Sequence, residues 1–239
     1  MIAVSSYFMW LYRVLAPLTI AAPAALALAV RGVRGPVLAT ICVVGGVLLY
    51  WLTLPRWAHA AFRQGNLASA IRRYRWIAAS YVPARRRAAL LSVGAAQLAA
   101  GRLDAADATL RQLDEKLLPP SEVAALLNNR AALLLARDCD HNEALALAER
   151  AGELRPDVAE ISHTRAAALL ALGRTDEAIV ILEGVRGAVD KPRFEAERCI
   201  ELARAWLAKG QREYAMEYRN RAYAQWPGVA VPAELSDGG

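Results

Sequence analysis

The chain has 239 residues, 56% of them hydrophobic, a formal charge of +6 at pH 7 and only three cysteines. That length allows one or two domains, and three scattered cysteines argue against a disulfide framework. The charge is strongly divided: residues 1–103 carry twelve arginines and no acid, a net of +12, while the remainder carries seventeen basic and all 23 acidic side chains, a net of −6. Such a division points to an anionic partner for the front half, either lipid or nucleic acid. Arginine outnumbers lysine 26 to 3, a bias of the whole chain, so arginine is not by itself a sign of phosphate recognition.

The apolar excess lies at the front. Pro36 to Leu54, PVLATICVVGGVLLYWLTL, is nineteen residues without a charge. At about 1.5 Å per residue that is long enough for a hydrocarbon core about 30 Å thick. Val14 to Val30 is a second uncharged run, and it reaches spanning length if YFMWLY ahead of it is added and Arg13 snorkels. The expectation is therefore two transmembrane helices, about 8–30 and 36–54, forming an anchor over residues 1–54. The short RGVRG loop makes them antiparallel. Ala21, Ala25 and Ala29 in the first run, with Cys42 and Gly46 in the second, give the small-residue spacing that lets helices approach in lipid. Tyr7, Trp10 and Tyr12 would meet Tyr50, Trp51 and Trp57 at one face as an aromatic belt. Arginines near the spans favour the terminal side: Arg13, Arg56, Arg63, Arg72 and Arg73 against Arg31 and Arg34 in the loop. That places the termini and the following domain in the cytoplasm, at a bacterial inner membrane.

From residue 55 the sequence repeats itself. Ala70, Ala106, Ala144, Ala178 and Ala215 are spaced 36, 38, 34 and 37 residues apart. Each has a turn residue five positions earlier (Gly65, Gly101, Cys139, Gly173, Gly210), and Pro156 and Pro227 close two of the copies. Five helix pairs of near-constant length follow, over residues 55–228; GVAVPAELSDGG has no period, and residues 229–239 are expected to be a mobile tail. No copy of the pattern reads as a strand.

This register resembles the tetratricopeptide repeat family, whose glycine, alanine, aromatic, alanine and closing proline recur over about 34 residues. Gly94 matches the first-half glycine of the second copy and Trp206 the tyrosine position of the fifth, whereas Arg219 stands where an aromatic is usual and Cys139 where the turn glycine is. The resemblance implies an all-α solenoid in which each pair buries its apolar face on the next. It also implies a concave groove lined by the first helix of each pair. Carried over by register, the groove residues are Leu91, Ala95, Asn129, Leu133, His163, Ala167, Ile200 and Arg204. The alternative for some of them is packing against the next repeat. No lysine-rich carboxylate clamp of the chaperone-binding relatives is visible.

Chemistry has no evident home. Asp138-Cys139-Asp140-His141 is the tightest reactive cluster, but it falls in an inter-helix turn and lacks a second ligand pair at zinc-like spacing. His59 and His163 are isolated, and the cysteines sit in unrelated settings. The expectation is a protein that is not an enzyme, with no cofactor, no metal and no small-molecule substrate.

One stretch remains, IRRYRWIAASYVPARRRAA at residues 71–89. Helical spacing puts Leu67, Ala70, Ile71, Tyr74, Ile77, Ala78 and Tyr81 on the apolar face, leaving Arg72, Arg73 and Trp76 outward. With Arg85, Arg86 and Arg87 these form a candidate membrane-surface collar for anionic lipid. A solvated face and a nucleic-acid surface are the alternatives. The sequence thus points to a membrane-tethered scaffold that recruits or positions a protein partner. A tethered nucleic-acid binder using residues 72–87, or an accessory subunit held through the hairpin, stand as alternatives.

Overall fold

A computed structural model describes residues 34–187 and 192–236, and every regular element among them is helical. The ten α-helices are α1 (Arg34–Arg63), α2 (Leu67–Ala78), α3 (Pro83–Ala99), α4 (Leu103–Leu110), α5 (Pro120–Ala136), α6 (His141–Leu154), α7 (Ala159–Ala171), α8 (Thr175–Gly184), α9 (Pro192–Ala208) and α10 (Arg212–Gln225). Two 3₁₀ turns, Glu115–Leu117 and Ala233–Leu235, complete them. The chain divides into two compact units between Arg73 and Tyr74.

In the first unit α1 is one continuous helix of 30 residues that runs through Pro55. The sequence suggests a break there, because proline has no N–H to give to the preceding turn. The helix absorbs it; Thr53, two residues before the proline, turns its hydroxyl back to the Leu49 carbonyl at 2.8 Å. The second expected span and the first repeat helix, separated at 54/55 on the sequence, are therefore one rod.

That rod has two characters. Ile41, Leu48 and Leu52 are 62%, 57% and 68% exposed, whereas Leu54, Ala58 and Ala61 are 1%, 0% and 4% exposed. Past residue 54, the Arg73 guanidinium donates from Nη1 to the Trp57 carbonyl of α1 at 2.7 Å. The first expected span lies outside the described residues. The second, 36–54, is not supported: among the described residues, which leave out the side chains at 34–36, 38, 39, 42 and 47 of α1, no helix is long and apolar enough to cross a membrane.

The second unit holds the repeats. The first helices α3, α5, α7 and α9 pack on one another in succession, and α4, α6 and α8 each pack on the first helix of the next pair. Pro83, Pro120 and Pro192 open three of the first helices, where a fixed φ suits the first turn and the missing N–H costs nothing. The alanine markers of all five copies are 0% exposed. With no side chain beyond Cβ, the two helices of a pair close onto each other at these points.

The turns explain both the period and its one irregularity. Gly65, Gly101, Gly173 and Gly210 have φ near +70°, the left-handed conformation that ends a helix most cheaply in glycine. In the third copy this role falls to Asp138, with φ 52°, and not to Cys139; Asp140, also left-handed, then caps α6 by accepting from the Glu143 N–H at 3.2 Å. That turn is one residue longer, and with the long 111–119 connection before α5, which carries a 3₁₀ turn, it sets the markers on either side 38 apart.

The segment expected as a mobile tail is anchored in part. Leu235 is fully buried among Ala196, Cys199, Ile200, Ala203, Ala215 and Ala222. Arg219, the residue that breaks the aromatic pattern, donates from Nη1 to the Leu235 carbonyl at 3.1 Å. At the position where the family pattern has an aromatic, this arginine thus holds a short strap against α10.

Candidate functional site

The groove residues assigned by register separate into three kinds. Leu91, Leu133 and Ile200 are buried; Leu91 packs with Leu110, Leu113 and Leu126, and Ile200 with the cluster around Leu235. These three belong to the core between pairs. Ala95, Asn129, His163 and Ala167 are half-buried on α3, α5 and α7, and Arg204 is exposed on α9. The layer of first helices thus presents a surface of small side chains with a few polar groups.

The polar groups are committed to different degrees. Asn129 donates from Nδ2 to the Leu91 carbonyl at 3.3 Å, tying α5 to α3. Arg204 pairs with Glu201 at 3.2 Å and with Glu234 of the C-terminal strap at 3.5 Å. His163 lies beside Phe194, ring centroids 5.6 Å apart, and its buried Nε2 has no hydrogen-bond partner among the described residues. A buried polar atom without a partner is costly, on the order of 1–3 kcal/mol, so His163 is the strained member of the surface.

The collar residues also part company. Arg72, Trp76 and Arg86 are exposed, and Arg85 is half-buried. Arg73 is spent inside the first unit on the Trp57 carbonyl, and Arg87 pairs with Glu122 of α5 at 3.0 Å. Both were expected outward, because helical spacing alone does not reveal a carbonyl or a carboxylate waiting across a helix boundary. Tyr81 departs in the other direction. It was placed on the apolar face, but α2 ends at Ala78 and Tyr81 stands fully in solvent, next to the exposed Val82.

The Asp138–His141 cluster has a structural account. His141 Nε2 lies 3.1 Å from Asp138 Oδ1, and Asp140 serves as the helix cap. Among the described residues, no group of three or more His, Cys, Asp or Glu side chains is placed to hold a metal.

The sequence reading missed a buried ion cluster at the α8–α9 junction. Arg198 occupies the position held by Ala89, Leu127 and Ile161 in the three copies before it, and it is 2% exposed. Its Nη2 donates to Glu195 at 2.6 Å and its Nη1 to the Leu182 carbonyl at 3.0 Å. The hydrogen bond from Arg198 holds the Glu195 carboxyl below its usual range. Tyr218 donates to Glu183 in the same neighbourhood and, through burial and that bond, its hydroxyl is pushed up to about 12. Burial likewise pushes the Cys199 thiol up, which makes it a poor nucleophile. The cluster therefore ties α8, α9 and α10 together rather than offering chemistry.

A tetratricopeptide repeat family model matches residues 135–196, from the end of α5 through the start of α9. No curated protein matches the chain. Among solved structures, one titled "MamA MSR-1 C2" is 18% identical with a TM-score of 0.45, covering 76% of this chain and 99% of its own. Another, titled "Crystal structure of MamA", is 20% identical with a TM-score of 0.45, covering 70% of this chain and 93% of its own. The helical-repeat architecture rests on the chain's own helix pairs and on the family match.

Proposed function

We propose that the chain is a membrane-tethered, non-enzymatic scaffold. In this reading the apolar half of α1, with the hydrophobic run before it, holds the repeats at the cytoplasmic face of a bacterial inner membrane. The first-helix surface of the repeats then binds a protein partner.

The observation that carries the tether is the change of character along α1. Large aliphatic side chains point outward from Val37 to Leu52, and burial begins at Leu54, where the uncharged run ends. An exposed apolar patch this continuous has to be covered, and lipid covers it without requiring a complementary shape. Anionic lipid is the second partner of this reading, through the arginines of residues 72–87, which no acid opposes before Asp104. The same arginines favour nucleic acid as the rival reading, but two of them, Arg73 and Arg87, are engaged within the protein.

The partner surface is read from α3, α5, α7 and α9, with Ala95, Asn129, His163, Ala167 and Arg204 as its accessible or half-accessible members. A helix or extended peptide fits such a layer of small side chains. A photo-crosslinking residue at Ala95 or Ala167 in native membranes should capture a discrete partner band. The same residue at Val180, 71% exposed on a second helix, should capture none. Equal capture from both faces would dismiss the groove. For orientation, a periplasm-specific reporter fused after Gly239 should be silent and one inserted within residues 31–35 active; the reverse pattern would overturn the cytoplasmic placement.

A further inference from the structure

The end of α2 and the start of α3 expose a cluster of side chains that packing leaves unexplained. Within the second unit Trp76 is 63% exposed, Val82 56%, and Tyr81 stands wholly in solvent. Arg75 and Arg86, on the same two helices, are exposed as well. Burial accounts for their neighbours: Tyr74 and Ile77 point into the core and Ala89 is buried. Seven residues from Trp76 to Val82 thus place an indole, a phenol and an isopropyl group outward at one connection.

We propose that this connection is a lipid-inserting tip, in which Trp76, Tyr81 and Val82 enter the headgroup layer of an anionic bilayer while Arg75 and Arg86 contact lipid phosphates. The inference rests on the tethered reading of α1 and deepens its anionic-lipid contact by naming the side chains that enter the bilayer. Tryptophan and tyrosine suit that layer because each has an apolar ring and one polar hydrogen that finds water or a headgroup. Two exposed arginines without any acid between residues 1 and 103 supply the complementary charge. A tether raises the local concentration of bilayer, so even a weak contact of three side chains is populated. A nucleic-acid surface would call on the full row of arginines, and Arg73 and Arg87 are already used inside the protein.

The test uses the full chain reconstituted into vesicles of phosphatidylcholine alone or mixed with phosphatidylglycerol. The emission of Trp76 is taken as the difference between wild type and Trp76→Phe. In the anionic vesicles it should shift to the blue, and brominated phosphatidylglycerol should quench it by about twofold or more. High salt and the pair Arg75→Gln with Arg86→Gln should each reduce that quenching, and Tyr81→Ser with Val82→Ser should do the same. These positions are exposed, so thermal unfolding of the variants should match wild type. If the chain stays in the vesicles but Trp76 emits as in water in both compositions, the tip inference is wrong and the tether stands. If the chain leaves the vesicles altogether, the tether fails and the tip with it. Quenching of Trp76 by an oligonucleotide at physiological salt, with no response to anionic lipid, would overturn the tip in favour of nucleic acid.

Discussion

The upper half of α1 and the interior of the repeats are both strongly apolar, yet one turns its side chains out and the other buries them. From residue 37 to 52 of α1 the valine, isoleucine and leucine side chains that are described are all exposed, so none of them is hidden against a neighbour. In the repeats the apolar residues recur every three to four positions, and alanine marks the tightest crossings. The difference teaches that composition gives the driving force while periodicity gives its address. A helix with apolar side chains exposed along its length has to be covered by lipid or by protein, and one with an apolar stripe needs another helix.

The sharpest way to break this contrast is to truncate one leucine from each region. Leu169, fully buried against Leu145, Leu182 and Leu202, should cost about 2–5 kcal/mol as Leu169→Ala. Leu48→Ala, at a site 57% exposed, should leave repeat stability within about 0.5 kcal/mol. Denaturant unfolding of the full chain in detergent, followed by circular dichroism, reads both. Equal losses would mean that α1 packs on protein along its whole length.

A second variant probes the place where the repeat interior is not apolar. Arg198→Ala strands Glu195, whose side chain is 22% exposed and regains some water, so the loss should be about 2–3 kcal/mol, below the usual cost of breaking a buried pair. The pair also sets a pH dependence. Because the folded state holds the Glu195 carboxyl below its ordinary value of 4.5, its contribution is complete above that value and lost as pH falls through the folded one. Wild type should therefore lose stability below pH about 4.5 more steeply than Arg198→Ala. Parallel acid profiles would show that the pair is not what the junction depends on.

Overfilling the crossings should cost less. A Cβ at Gly94 would stand 2.6 Å from Leu110 Cδ2, and that leucine is itself buried. Gly94→Ala and Ala178→Leu should each destabilise by about 1–3 kcal/mol in the same unfolding assay. A neutral result at either would mean the helices can slide apart and that the small markers are not constraints.

The smallest effect is at the irregular turn. Asp138 adopts the left-handed conformation that costs an ordinary residue about 1–2 kcal/mol, which a short polar side chain partly relieves. Asp138→Gly should be neutral or slightly stabilising and Asp138→Ala destabilising by about 1 kcal/mol. The opposite order would shift the turn role back to Cys139.

The repeat period was legible because it depends on local chemistry: a glycine that can turn left-handed and an alanine that fits a crossing, each at a fixed spacing. Where that chemistry was replaced, at Cys139 and Arg219, the sequence showed a departure but not its reason, which lies in an extra turn residue and in a strap beyond the last helix. The collar was legible as a basic, aromatic stretch and not as a surface, since Arg73 and Arg87 find partners 16 and 35 residues away. Arg198 was invisible for the same reason. The groove register put its eight positions on the first helices, but three of them, Leu91, Leu133 and Ile200, are buried between the pairs, because spacing alone does not separate an exposed face from the seam beside it.

The central claim is that lipid covers the apolar half of α1, and alkaline carbonate extraction of native membranes containing the full chain tests it most directly. The account predicts that the protein remains in the membrane pellet at high pH and is released only by detergent. Recovery in the carbonate supernatant, or as a monodisperse protein without detergent, would contradict it and assign the exposed aliphatic row from Val37 to Leu52 to a protein partner instead.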